Sequence, residues 1–76
     1  MNKDSIEKVE KYIELFEKYK NFLTQNQSQV FQLYFYEDLS YAEIAEILAT
    51  TRSNAFDTLK KAITKLEKIE NKLNNS

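Results

Sequence analysis

Seventy-six residues pass without a single glycine or proline. Tight hairpin turns depend on residues that accept positive φ, glycine first among them, and proline is the residue that most firmly stops a helix. A chain without either, with 30% of its residues charged, lacks the usual means of turning a hairpin and has nothing that breaks a helix. The expected class is all-α. No apolar run nears the about 18 residues that a membrane span requires, so no membrane insertion is expected. The opening stretch MNKDSIEKVE has no apolar h-region, and the expected location is the cytoplasm.

The residue inventory narrows the chemistry further. There is no histidine and no cysteine. That removes the usual general base, the thiol nucleophile and the two commonest transition-metal ligands. A chain of this size buries only about 60% of its unfolded surface, which leaves little room for a concave reaction pocket. The expectation is a non-enzyme with no cofactor, no metal and no small-molecule substrate. Glu43 and Glu46 lie three apart on one helix, as an acid–base pair would. Glu43 has a capping task, and the pair reads as a solvated face.

Apolar spacing at intervals of three and four outlines four helices, at about 5–21, 25–36, 41–48 and 52–73, in one domain spanning 1–76. The first opens near Asp4 and Glu7 and carries Ile6, Val9, Ile13, Phe16 and Tyr19 on one stripe. The second is announced by a Thr24-x-x-Gln27 capping box and the third by Ser40-x-x-Glu43. The second helix, with Val30, Phe31, Leu33, Tyr34 and Phe35, is apolar around much of its surface and should be central. The fourth begins after Thr51. Its apolar positions read 56, 59, 63, 66 and 73 as a heptad seam, imperfect because Glu occupies position 70.

Residues 39–59 pair a short capped helix, a brief break and a second capped helix, which is a helix-turn-helix pattern. Ala45 is small enough for a close helix crossing, and Phe56 is expected inside against Leu48. The first turn of the second helix then presents Arg52, Ser53 and Asn54. In this architecture that turn enters the major groove, where Arg reads guanine and Asn reads adenine. Thr58, Lys60 and Lys61 follow as further candidate nucleic-acid contacts, and Lys65, Lys68 and Lys72 prolong a basic flank. Charge is unevenly spread: residues 21–50 hold four acids and no base, whereas residues 51–76 hold six bases against three acids.

These motifs resemble a known family. Leu23-Thr24-x-x-Gln27, the run from Leu33 to Ser40, Glu43-Ile44-Ala45-Glu46 and Thr51-Arg52-Ser53 are similar to the helix-turn-helix of sigma-factor region 4. With Leu15-Phe16-Glu17-x-Tyr19 and Phe56-Asp57-x-Leu59-Lys60-Lys61, they resemble more narrowly the YlxM family of small bacterial proteins, over roughly residues 13–73. The resemblance implies a DNA-binding regulatory or accessory protein. It also implies a link to the signal recognition particle (SRP) pathway, through gene neighbourhood, so DNA or the particle's RNA or protein are the implied partners. Three departures stand out: Ala49 where the turn usually has Gly or Asn, Thr50 for an apolar residue, and Asn54 for a small one. They suggest a looser turn and an altered recognition surface.

A second reading comes from the fourth helix. Ile63, Leu66, Ile69 and Leu73 extend beyond what three short helices readily cover, so they must meet the first helix or a second copy. A homodimer through these residues would enlarge a small core. The alternative function is then a homodimeric protein-interaction module that binds no nucleic acid.

Overall fold

The computed structural model describes residues 3–74, with side-chain surroundings from Ile6 onward. Four helices appear: α1 (Lys3–Tyr19), α2 (Gln25–Phe35), α3 (Tyr41–Ile47) and α4 (Arg52–Asn74). No strand occurs among the described residues, so the all-α class holds. α1 starts at Lys3, ahead of the Asp4 start expected, and the side chain of Asp4 lies outside the described residues. At its other end the chain tightens into a 3-10 turn, Lys20–Phe22, closed by Leu23 N–H to the Lys20 carbonyl at 3.1 Å.

The two capping boxes form as the sequence implies. Thr24 Oγ1 accepts from the Gln27 N–H at 3.1 Å, and the Gln27 side chain accepts from the Thr24 N–H at 3.1 Å. Ser40 and Glu43 do the same at 3.2 and 2.9 Å. Each box satisfies two N–H groups that a helix start otherwise leaves open. With no glycine to place, the helix ends use other residues: Asp38 (φ 57°) and Ala49 (φ 55°) adopt the left-handed conformation themselves. Aspartate tolerates it through its short polar side chain, whereas alanine pays the full Cβ clash.

The core gathers Leu15 and Phe16 of α1, Val30 and Phe31 of α2, Ile44 of α3, and Ala55, Leu59 and Leu66 of α4. Phe16 and Phe31 stack with centroids 4.4 Å apart and planes 5° from parallel. α4 packs against all three other helices. Its buried stripe is Ala55, Thr58, Leu59, Ala62 and Leu66, not the 56–59–63–66 seam expected. The reason is steric. Ala55 and Ala62 carry only a methyl group, so the backbone of α4 can lie close against its neighbours, and both alanines are fully buried. Phe56 is displaced to the flank, 49% exposed, its ring edge-on to Tyr41 at 5.3 Å rather than inside against Leu48.

The apparent flaw in the seam has its own explanation. Glu70 Oε1 accepts from the Tyr19 hydroxyl at 3.3 Å, and Glu70 Oε2 lies 3.8 Å from Lys18 Nζ. The lower part of α4 therefore meets α1 of the same chain through a polar contact. Leu66 is fully buried there and is not available to a second copy, which corrects its place in the expected dimer interface. Ile63 and Ile69 are half-buried and Leu73 is 55% exposed.

On the other side of α1, the Tyr36 hydroxyl donates to the Glu17 carboxylate. Burial, then this bond and the Glu17 charge, push the Tyr36 phenol up to about 12. The neutral phenol is the form the fold favours. Its contribution is complete below the ordinary tyrosine range of about 10 and is lost as pH rises through about 12. The urea midpoint is expected to fall across that interval in step with tyrosinate absorbance, and a flat midpoint would show the contact to be idle.

Candidate nucleic-acid interface

α3, the turn and the start of α4 form the helix-turn-helix. The turn is closed by a Schellman pair: Thr50 N–H to the Ala45 carbonyl at 2.8 Å and Ala49 N–H to the Glu46 carbonyl at 3.4 Å. Thr51 Oγ1 then caps α4 by accepting from the Asn54 N–H at 3.0 Å. Two of the departures from the family pattern prove to be a single device. The Asn54 side-chain amide donates to Thr50 Oγ1 at 2.8 Å, across the junction of turn and helix. The turn is tied rather than loosened. The four-residue separation of Thr50 and Asn54 was the sequence signal for this bond, but it spans a helix boundary, where helical spacing rules are not normally applied.

Ala49 is the strained point of this turn. A left-handed alanine costs roughly 1–2 kcal/mol, and glycine recovers most of that while adding freedom to the unfolded chain. Ala49→Gly is expected to raise stability by about 0.5–1 kcal/mol net, seen as a higher urea midpoint at unchanged slope. A lower midpoint would contradict the left-handed assignment.

Arg52, Ser53 and Asn54 are all exposed on the first turn of α4. With Tyr41, Phe56 and Asp57, the first two line a shallow hollow. Arg52 and Ser53 are at helix positions whose N–H groups lack intrahelical acceptors, a setting that favours anions. Asn54 is less free than the sequence suggested, since its amide N–H is committed to Thr50. Thr58 does not belong to this surface. It is 8% exposed and faces the core between Ala55 and Ala62, so it is withdrawn as a contact. Its position three beyond Ala55 places it on the inward face once the alanines, rather than Phe56, define that face.

Further along α4, Lys60, Lys61, Lys65 and Lys68 surround a second hollow with Asp57 and Thr64, about 430 Å³ in volume. Lys61 Nζ lies 3.1 Å from Asp57 Oδ2. Both ends of that pair are exposed, so it adds little stability, but it offsets the Asp57 charge beside the first turn. Among the described residues Arg52, Lys60, Lys65 and Lys68 make no ion pair. The Tyr41 ring, stacked on Tyr34 at 4.9 Å, walls the surface on the α3 side. Burial and the neighbouring Tyr34 hydroxyl push its phenol up to about 12, so it stays neutral. No group of three histidine, cysteine, aspartate or glutamate residues suited to a metal ion occurs among the described residues, and no helix there is long and apolar enough to cross a membrane.

Comparison with known proteins now has a geometry to meet. A family model described as "Putative helix-turn-helix protein, YlxM / p13 like", UPF0122, matches residues 6–75. A UPF0122 protein of Thermoanaerobacter pseudethanolicus is 41% identical over 59 residues, which is 78% of this chain and 50% of that protein. One from Bacillus thuringiensis is 38% identical over 68 residues, covering 90% of this chain and 62% of the relative. A "Probable UPF0122 protein" of Mycoplasma mycoides is 40% identical over 68 residues, covering 90% and 60%. The chain thus spans between half and about three-fifths of the length of these relatives. No solved structure gives a significant match. The match across nearly the whole chain, together with the capped pair of helices it covers, establishes that this chain belongs to the UPF0122 family of YlxM / p13-like helix-turn-helix proteins.

Proposed function

We propose that the chain is a cytoplasmic regulatory or accessory protein that binds nucleic acid through the first turn of α4, with the lysines along the same helix meeting phosphates. The observation that carries this reading is the continuity of one helix. Arg52 and Ser53 stand exposed at its capped start, and Lys60, Lys65 and Lys68 follow without ion-pair partners among the described residues. Arg52 is the base-reading residue and Lys60 a phosphate contact, while Asn54 chiefly holds the turn. The resemblance to sigma region 4 supports duplex DNA as the ligand. The YlxM association with the SRP pathway adds that particle's RNA.

The test is a titration of labelled duplex DNA and of structured RNA at two salt concentrations. Arg52→Ala is expected to weaken binding by about 1–3 kcal/mol and relax base preference, and Lys60→Ala to weaken all sequences alike and lower the salt slope by about one. Glu43, Glu46 and Asp57 oppose phosphate, so binding should fade before about 200 mM salt. Equal binding by the parent chain and Arg52→Ala, or none by either at about 50 mM salt, would remove the recognition-helix reading. A second reading, the homodimeric interaction module, draws on the apolar surface that Ile63, Ile69 and Leu73 keep accessible. A 9.0 kDa species in sedimentation at micromolar concentration would dispose of it.

A further inference from the structure

A separate groove runs between the start of α1 and the corner joining α2 to α3. Its floor is apolar: Val9, Tyr34, Phe35 and Leu39 are half-buried, and Ile6 at one end is 49% exposed. The groove encloses about 580 Å³. Among the described residues its polar lining is Glu10 from α1, Asp38 and Ser40 from the corner, and Glu43 from α3, with no lysine or arginine. It shares no residue with the first turn of α4 or with the lysine hollow.

One of these carboxylates is held in place by the backbone, and a second stands on a backbone corner of fixed conformation. Glu43 accepts from the Ser40 N–H at 2.9 Å, so its negative charge is fixed at the mouth. The Ser40 bonds also lower its pKa, which keeps it ionised. Asp38 sits in a left-handed corner closed by Leu39 N–H to the Leu33 carbonyl at 3.1 Å. The Ser40 hydroxyl is engaged by the Glu43 N–H, leaving little to orient a neutral polar ligand.

We propose that this groove, with its apolar floor and its carboxylates Glu10, Asp38 and Glu43, docks a lysine- or arginine-flanked amphipathic helix of a partner protein. Charge complementarity selects the occupant. Three carboxylates repel nucleic acid and anionic lipid alike, whereas an apolar stripe bordered by cations satisfies floor and rim together. A helix is favoured over a strand because the described residues contain no sheet edge to extend. A second copy of this chain is a poorer occupant. Its basic helix, α4, already buries Ala62 and Leu66 within its own subunit. The inference does not depend on nucleic-acid binding by α4.

The experiment uses the full chain and a synthetic helical peptide with leucines at i, i+4 and i+7 bordered by lysines. Peptide fluorescence anisotropy measures binding, and ¹H–¹⁵N spectra of the chain locate it. Binding is expected, with amide shifts centred on Val9, Leu39 and their neighbours. Ile6→Ser and Glu10→Lys change exposed residues and should keep the helical circular dichroism of the parent, yet each should weaken binding roughly tenfold, the scale of one lost contact worth about 1.4 kcal/mol. Peptides with serine for leucine or glutamate for lysine should not bind. Arg52→Ala should leave peptide binding unchanged, which separates this site from the α4 surface. The proposal is overturned by absence of binding, by shifts centred on α4, by equal binding of the glutamate peptide, or by indifference to both groove variants. Sedimentation in which Ile6→Ser or Glu10→Lys dissolves a dimer would give the groove to a second copy and overturn it equally.

Discussion

Phe31→Ala is expected to leave the chain largely unfolded at 25 °C. Phe31 is fully buried, stacked on Phe16 at 4.4 Å and against Phe35 at 4.5 Å. Truncating such a ring costs about 3–5 kcal/mol in lost transfer and cavity terms, and a domain this small has stability near the lower end of the usual range, about 5 kcal/mol. The loss should be visible as a collapsed helical signal at 222 nm and the disappearance of a cooperative melt. A variant that melts like the parent would mean that α1 and α2 are not joined through this ring pair.

The second large effect lies in α4. Leu66→Ala is expected to destabilise by about 2–5 kcal/mol, because the side chain is fully enclosed by its own subunit. The loss should be independent of protein concentration. If Leu66 instead sat in a seam between two copies, dilution would deepen the loss by mass action. Phe56→Ala is the natural comparison: half-exposed and held mainly by the Tyr41 edge contact, it should cost only about 1 kcal/mol. Reversal of this order would restore the heptad seam that spacing alone suggests.

That reversal marks where sequence reading succeeded and where it failed. The helix starts were legible because capping boxes are local: Thr24 with Gln27 and Ser40 with Glu43 each decide a boundary within four residues. The helix-turn-helix followed from the same local signals. The inward face of α4 was not legible. Periodicity follows the large residues, Phe56 and Ile63, whereas close packing here follows the small ones, Ala55 and Ala62. Thr58 was misplaced by the same rotation. Of the candidate site, the exposure of Arg52 and Ser53 could be read from Thr51 as a cap. The bond between Asn54 and Thr50 needed three-dimensional placement, since it crosses from turn to helix. The left-handed backbone at Ala49 carried no cue in the residue itself; only the Gly or Asn usual at that place of the turn pointed to it.

The position of α4 also bears on how the molecule comes into being. Ribosomes build chains from the N-terminus, and this fold makes α4, the common partner of α1, α2 and α3, after all three of them. While residues 52–74 are still being made, Phe31 and Ile44 have left the peptidyl-transferase centre without the leucines and alanines that enclose them. With no earlier unit able to close its own core, the nascent chain has no native resting point along the way. The core therefore closes only once α4 has been made, and the interval before that is when these helices most need shelter from other unfinished chains.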